Sequence, residues 1–587
     1  MKTIVTSDSM SLRRALCTLL VGIAALWAMP RSARAQIYVS QANSGTVGEY
    51  DAATGAAIIL AQGDMLTAHR GNTWLALGAD CGFKMTGCGF VGVNDGWQDI
   101  IGHKRLPTWT FDSAVKHLVW PRDMCQSATA LLATGETDLP LRGLMYLAAS
   151  QSPDGSFPQN FYINGKPHWT GKQLDEYSFP IMLAYRLRLA GALQLFDPRP
   201  MVLAAAGALI ANGPMTGEER WEENEGYSPS TLASNIAALV CAAYFADLKP
   251  QDHATAEFLL DYADFLESHL ETWTVTTQGN LLADVPRYYI RLLPTYVKSG
   301  NRNPTAAEDP NTAVIAIGNR GGIQVPARIV VDGGFLELVR YGIRAASDSL
   351  MEDTLKVVDS SIKDDLPGGS CWRRYTQDGY GQQDDGGPFL SVGVGRPWPL
   401  LTGERAHYEL AADRDVSAYV KAMEDFAGKR ALLAEQLWNR PDLGSPPKLV
   451  FGGPTGSAVP LAWAHAEYIK LVRSISDGEV FDRIQIVADR YLKPHPASPL
   501  EVWNFDRQIQ AIPRGKKLRI PLPALFRLHW SPDGWATTND TPAKATAMGI
   551  HYVDIATDHT TAGPLKFTFY WTNERRWEGT DFQVSLT

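Results

Sequence analysis

Apolar residues in the middle of the chain recur at helical spacing, interrupted by loops that carry polar and aromatic side chains. The pattern predicts helices at 124–133, 139–150, 180–190 and 201–212, then at 228–248, 254–273, 334–346 and 351–363. Further helices are expected at 407–412, 416–436 and 459–474, with a last one at 482–492. Runs such as MVLAAAGALIA and TLASNIAALVCAAYF are apolar nearly all round, which demands burial on more than one side. The spacing follows no repeat of about 34 or 40 residues, which excludes the helical-repeat solenoids. Many helices joined by loops rich in Trp, Asp, Glu, Arg and Gly suggest one toroid of paired helices with its loops gathered at one end.

The ends read differently. Residues 36–60 hold short β-prone pieces separated by Asn-Ser-Gly and Thr-Gly turns, and 61–116 continue β-like with Gly-rich punctuation. Beyond 478 the pattern turns to strands at 509–526, 548–555 and 566–571. Trp530, Trp535, Trp571 and Trp577 of this tail are expected to pack against the helical body, with a sugar-binding surface as the alternative. At the start, Arg13 and Arg14 precede an apolar run, 15–29, and Ala33-Arg34-Ala35 follows. This is the layout of a cleaved export signal, so the mature chain is expected to start at Gln36 in a periplasmic or extracellular setting. The paired arginines leave the export route open. No other segment reads as a membrane span.

The 587 residues carry 54 Lys and Arg against 63 Asp and Glu, a formal charge of −9. An acidic chain without a basic run excludes nucleic acid as a partner. Of six cysteines, Cys17 leaves with the signal. Cys81 and Cys88 flank a Gly-rich turn and either pair in an oxidising compartment or stay as thiols. No Cys/His spacing reads as zinc.

Seventeen tryptophans direct attention to the loops. The densest cluster is Glu218-Glu219-Arg220-Trp221-Glu222-Glu223-Asn224-Glu225, just before a strongly apolar stretch. Carboxylates this close cannot all ionise freely, and a raised carboxyl pKa is what a general acid needs. Upstream lie HLVWPRD at 117–123, QSPDGSFPQN at 151–160 and PHWTGKQLDE at 167–176. Ring faces beside bidentate polar groups suit a sugar.

Together with WRRYTQDGYG, GRPWPLLTGERAHYEL, AEQLW and SAVPLAWAHAEYIKL, these motifs run in collinear order and resemble glycoside hydrolase family 15, in its bacterial glucoamylase and glucodextranase branch. The resemblance implies a mainly α fold, an (α/α)6 barrel over 117–478, with a β-rich N-terminal piece at 36–116, a β-rich tail at 479–587 and a signal at 1–35. It implies an exo-acting inverting hydrolase that releases β-glucose from starch-type α-glucans, without metal or organic cofactor. Its alternatives are α-1,6 (glucodextranase) or trehalose hydrolysis, and an inactive glucan-binding relative. It makes Glu222 the general acid and Glu435 the general base, with Glu467 the rival for the base. Trp120, Arg122, Asp123 and Arg396 match contacts to the terminal sugar. Trp169, Gln173 and Asp175 match a pocket wall, Trp221 and Glu223 flank the acid, and Trp463 lines the floor. Glu219, Glu223 and Glu225 are expected to keep Glu222 protonated by repulsion. Family members carry more β-sandwich, a linker and a first barrel helix ahead of WPRD. Here 64–114 resemble only the latter part of that sandwich, so the ring is expected to lack its first helix where it must close.

Overall fold

The computed structural model describes residues 118–587, apart from 163, 195, 296–308, 445–447, 494–497 and 558–562, together with five strands between 36 and 84. Those strands, β1 (Gln36–Gln41), β2 (Thr46–Asp51), β3 (Ala57–Gln62), β4 (Trp74–Leu77) and β5 (Phe83–Lys84), form one sheet in the order β3-β2-β1-β4-β5, with antiparallel neighbours. The hairpin expected over 36–60 corresponds to β1–β3. The export signal, Cys81, Cys88 and the junction before 117 lie outside the described residues.

Twelve α-helices follow among the described residues. They are α1 (Pro121–Ala133), α2 (Asp138–Ser150), α3 (Leu174–Leu189), α4 (Arg199–Asn212), α5 (Pro229–Asp247), α6 (His253–Thr274), α7 (Leu336–Arg340), α8 (Ser349–Ile362), α9 (Pro399–Ala411), α10 (Ser417–Ala427), α11 (Ala462–Asp477) and α12 (Gln485–Tyr491). The odd-numbered helices α1 to α11 pack each on the next, and α11 packs on α1, so the six close a cycle. The even-numbered helices lie outside: α2 on α1 and α3, α4 on α3 and α5, α6 on α5, α10 on α9 and α11. The break expected in the ring is therefore absent from the inner layer. Among the described residues, no helix packs from outside on both α11 and α1.

Several boundaries move for physical reasons. Helix α3 starts six residues before Pro180 and carries that proline inside, because its first turn buries Asp175 and Glu176 against Arg122. Helix α7 is only five residues long. It ends at Arg340, two residues before Gly342, whose φ of +91° and whose Cβ position 2.8 Å from Ala488 Cβ exclude a side chain. There α12 lies against the chain. Helix α9 begins at Pro399, well before the expected 407, with proline in its first turn. Helix α5 corrects the expectation that no segment after the signal has the length and composition of a membrane span. It has both, and 94% of its apolar window is buried inside this fold, between α3, α4 and α6.

At the lower end of the cycle the inner helices meet through charge. Glu467 of α11 accepts from Arg340 of α7 at 3.1 Å and pairs with Lys470 at 2.7 Å. His407 of α9 stands 3.4 Å away, and Lys470 reaches Gln126 of α1 and, at 2.8 Å, Asp482. Arg186 of α3 joins Asp482 at 3.4 Å. Glu467 is thus a buried ion paired with Arg340 and Lys470. Burial raises its pKa, but Arg340 and Lys470 outweigh burial and hold it at about 2. Removing one partner of such a pair costs about 3–5 kcal/mol. A group depressed from 4.5 to about 2 stabilises above its unfolded pKa, and that contribution is lost as pH falls from about 4.5 to about 2. Glu467→Gln is expected to lower the melting temperature at pH 7 and to differ less from the parent at pH 3; an equal deficit at both values would contradict this assignment.

The tail is a two-layer sandwich built from β6 (Leu500–Val502), β7 (Ala511–Ile512), β8 (Lys517–Leu522), β9 (Phe526–Ser531), β10 (Asn539–Pro542), β11 (Lys544–Ala545), β12 (His551–Ala556), β13 (Leu565–Trp571), β14 (Arg576–Trp577) and β15 (Phe582–Leu586). The sheet β6-β8-β12-β11 lies on α4 and α6, where Arg519 pairs with Asp261 and Tyr552 meets Phe258. The sheet β7-β15-β13-β9-β10, with β14 on β13, covers it from the far side, and Trp503, Leu518, Ile520, Phe567 and Phe569 fill the space between. The tail tryptophans pack within the tail and not, as expected, on the helical body. Trp571 lies in the sandwich core with Trp530 against it, Trp535 stacks on His529, and Trp577 is exposed on the outer sheet.

Candidate active site

The acidic cluster forms a tight loop between α4 and α5. Thr216 and Gly226 exchange backbone hydrogen bonds of 3.0 Å, closing it. At Gly226 a Cβ would sit 2.0 Å from the Leu293 carbonyl oxygen, so only glycine allows this closure. Within the loop, Glu219 accepts from the Trp221 backbone N–H at 3.0 Å and from Arg291 at 2.6 Å. The Trp221 indole N–H donates to Asp332 at 3.2 Å. Arg220 lies over the Trp221 ring and pairs with Glu404 and Glu337. Held on three sides, the backbone turns left-handed at Glu222, with φ of +64°. A non-glycine residue in that region carries strain of about 1–3 kcal/mol, which surrounding contacts must hold in place.

The turn aims the Glu222 carboxyl at the loops ahead of α1 and α3. It accepts from Arg122 Nη2 at 3.1 Å and from Gln159 Nε2 at 2.9 Å. Arg122 in turn donates to Asp123 and Asp175, each at 3.2 Å, and its guanidinium lies 5.1 Å from the centre of the Trp463 ring. Glu176 accepts from its backbone N–H. Trp120 is buried and meets the more exposed Trp169 edge to face at 6.1 Å. Asp123 Oδ1, Asp175 Oδ1, Trp463 Nε1 and both amide ends of Gln173 are buried without a hydrogen-bond partner in the protein. Buried polar atoms of this kind call for a partner, and together they ask for several hydroxyl-type groups in one place.

Glu223 points the other way. It accepts from Arg374 and Asn319 at 2.7 Å, pairs with Arg291 at 3.3 Å and bonds the Tyr375 hydroxyl. Burial opposes its ionisation, but Arg374 and Arg291 prevail and lower its pKa. This corrects the expected repulsion by Glu219, Glu223 and Glu225: arginines from distant segments neutralise the first two. Burial is what pushes Glu222 up to about 7, with Arg122 opposing and with Asp123 and Glu218 adding to the rise.

Glu435 stands in an irregular segment, pinned by its backbone N–H to the Ala458 carbonyl at 2.8 Å. Its carboxyl is buried beside the Tyr380 hydroxyl. Tyr380 contacts Trp398, and Trp398 contacts Trp221 at 5.7 Å, so a run of rings joins the two glutamate segments. Burial pushes Glu435 up to about 8, while the Ala458 N–H, Arg374 and Tyr380 pull it down. Arg396 is buried beside Gly381, next in the chain to Tyr380. Its three nitrogens donate to the Gln382 carbonyl, Asn439 and Asp384, so it anchors the loop between Tyr380 and Pro397.

Sequence reasoning did not single out Gln159, Glu176, Asp332, Arg374, Tyr380 or Trp398. All but Asp332 lie inside motifs that had drawn attention, and nothing local distinguished them from their neighbours.

Residues 112–473 match the family model for glycosyl hydrolases family 15, and residues 31–134 match that for glucodextranase, domain N. A glucoamylase of Clostridium sp. (strain G0005) is 42% identical over 377 residues, covering 64% of this chain and 49% of that protein. An uncharacterized glycosyl hydrolase of Methanocaldococcus jannaschii is 30% identical over 128 residues, 21% of each chain. Among solved structures, a bacterial glucoamylase complexed with acarbose is similar, with a TM-score of 0.57 and 42% identity over 64% of this chain and 52% of the other. The chain spans about half the length of these glucoamylase relatives.

Proposed function

The chain belongs to glycosyl hydrolases family 15, and from that membership we propose that it is an exported, exo-acting, inverting hydrolase that releases β-glucose from the non-reducing ends of starch-type α-glucans. The observation that carries this reading is a strained, clamped turn that presents one carboxyl, Glu222, beside buried polar atoms without protein partners. We read the six-helix cycle with its outer helices as an (α/α)6 barrel in which no described helix covers the α11–α1 seam from outside. The catalytic domain spans 117–478, between the N-terminal piece at 36–116 and the tail at 479–587.

In this mechanism Glu222 is protonated and gives its proton to the leaving glycosidic oxygen. Ionised Glu435 takes a proton from water on the opposite face of the sugar, and the water oxygen bonds to C1 as the old bond breaks. Inverting geometry asks for carboxyls about 6.5–9.5 Å apart. The raised pKa of Glu435 runs against a base ionised at neutral pH. Its cause is burial, and hydrogen bonds from the attacking water and sugar hydroxyls to the charged form would lower it. Trp120, Arg122, Asp123, Gln173 and Asp175 hold the terminal ring, Trp463 lies beneath, and Trp169, Trp221 and Glu223 bound the next sugar. Early product seen by NMR is expected to be β-glucose; α-glucose at the same stage would refute inversion.

The match of residues 31–134 to glucodextranase domain N favours a second reading, α-1,6 hydrolysis. Glucose release from maltose, isomaltose, dextran and trehalose by the mature chain separates the two. No release from any of them by a cooperatively melting protein would leave a glucan-binding relative without activity.

A further inference from the structure

The outer sheet of the tail carries a surface that the barrel chemistry does not use. Along β9, Phe526 and Leu528 point into the sandwich, so Arg527 and His529 point out. On β13, Phe567, Phe569 and Trp571 point in and Tyr570 points out, paired with Trp577 of β14. The outward face therefore gathers rings from three places. Trp577 stands 5.2 Å from Tyr570 and 5.7 Å from His529, and Trp535 stacks on His529 at 5.4 Å with an interplanar angle of 16°. Arg527 lies 5.0 Å from the centre of the Tyr570 ring.

Trp535 reaches this place through a left-handed backbone, φ +82°, which a bulky residue adopts only under constraint. Its N–H donates to Ser531 Oγ at 2.8 Å, and Asp533 accepts from Thr537 through both N–H and hydroxyl at 2.8 Å. The rings are thus set in a built arrangement.

Two features select the occupant. Asp540 sits 3.4 Å from Arg527 and 3.2 Å from His529, so the face is charge-balanced and has nothing to draw a polyanion or a charged peptide. Trp577, 47% exposed, is also the only large exposed hydrophobic residue among the described residues of the sandwich, 500–587. A stable protein interface needs about 800 Å² per partner, far more than one open ring supplies. A pyranose needs only one ring to stack on and polar edges for its hydroxyls, and both are present.

We propose that this face is a second carbohydrate site, separate from the pocket, which holds neutral α-glucan chains with Trp577 as the stacking platform and Trp535, His529, Tyr570 and Arg527 around it. The choice of α-glucan rests on the function proposed above. The test uses the mature chain carrying Glu222→Gln, so that ligand is not consumed, in gels containing soluble starch, dextran or dextran sulfate. Retardation by a neutral glucan is expected, weakened about ten-fold by Trp577→Ala. The same Trp577→Ala change in the otherwise intact chain is expected to leave maltose hydrolysis and the melting temperature unchanged. Equal retardation with and without Trp577, no retardation by either neutral glucan, or retardation by dextran sulfate alone would each overturn the proposal. If Trp577-dependent retardation is found in a chain that hydrolyses no glucan, the surface site stands and the hydrolytic reading falls.

Discussion

Glu222→Gln is expected to lower glucose release from maltose by about 10²–10⁴-fold, the range that a positioned general acid supplies. The amide fills the same turn and still accepts from Arg122 or Gln159, so binding of maltose should change little. It cannot give a proton to the leaving oxygen. A substrate whose leaving group needs no proton, such as α-glucosyl fluoride, should therefore keep most of its rate in this variant. Near-normal turnover of maltose would remove Glu222 from the acid role. An equal loss on both substrates would assign it to binding or to the base.

Glu435→Ala is expected to be as damaging on maltose and, in contrast, equally damaging on the fluoride, since both reactions need activated water. Azide carries its own charge and needs no base. It should restore turnover and leave β-glucosyl azide as product, with Glu222 still protonating the leaving oxygen of maltose. Full activity of the variant without azide would take Glu435 out of the chemistry. Such a result would move the role to its rival, Glu467, which is paired with Arg340 and Lys470, a different set of partners from those of Glu222. Its own prediction is one of acid stability.

The helices were largely readable because their signal is local. Apolar spacing and all-round burial are written within one turn of the chain, and eight helices begin and end close to where the pattern predicts. Of the misplaced ends, α9 begins at Pro399 and α10 stops at Ala427, before Gly428 with φ of +58° and short of the expected 436, both for local reasons, while for α3 and α7 the cause lies in tertiary contact. Helix α3 begins early because Arg122 compensates the buried carboxylates of its first turn, and α7 ends early because α12 occupies the space beside Gly342.

The site was readable as a set of loops and only partly as a set of roles. Charge density marked 218–225, but density alone suggested repulsion as the cause of a raised pKa. Arg291 and Arg374, brought from later segments, neutralise Glu219 and Glu223, so the rise at Glu222 comes from burial. Arg396, which a motif match suggested as a sugar contact, also has a structural part that only the fold discloses: its three nitrogens hydrogen-bond Gln382, Asn439 and Asp384.

The resemblance to glycoside hydrolase family 15 singled out the pair Glu222 and Glu435; the residues alone disclose a helical body between β-rich ends and the loops that hold its polar and aromatic clusters. These rest on periodicity and on short motifs, which need no partner distant in the chain. Three matters needed the folded molecule: whether the inner ring closes, which carboxylates are neutralised, and where Trp535 and Trp577 face. Each depends on groups far apart in the chain that meet only after packing. The contact of α11 with α1 is the plainest case, since it closes the inner cycle of the described helices.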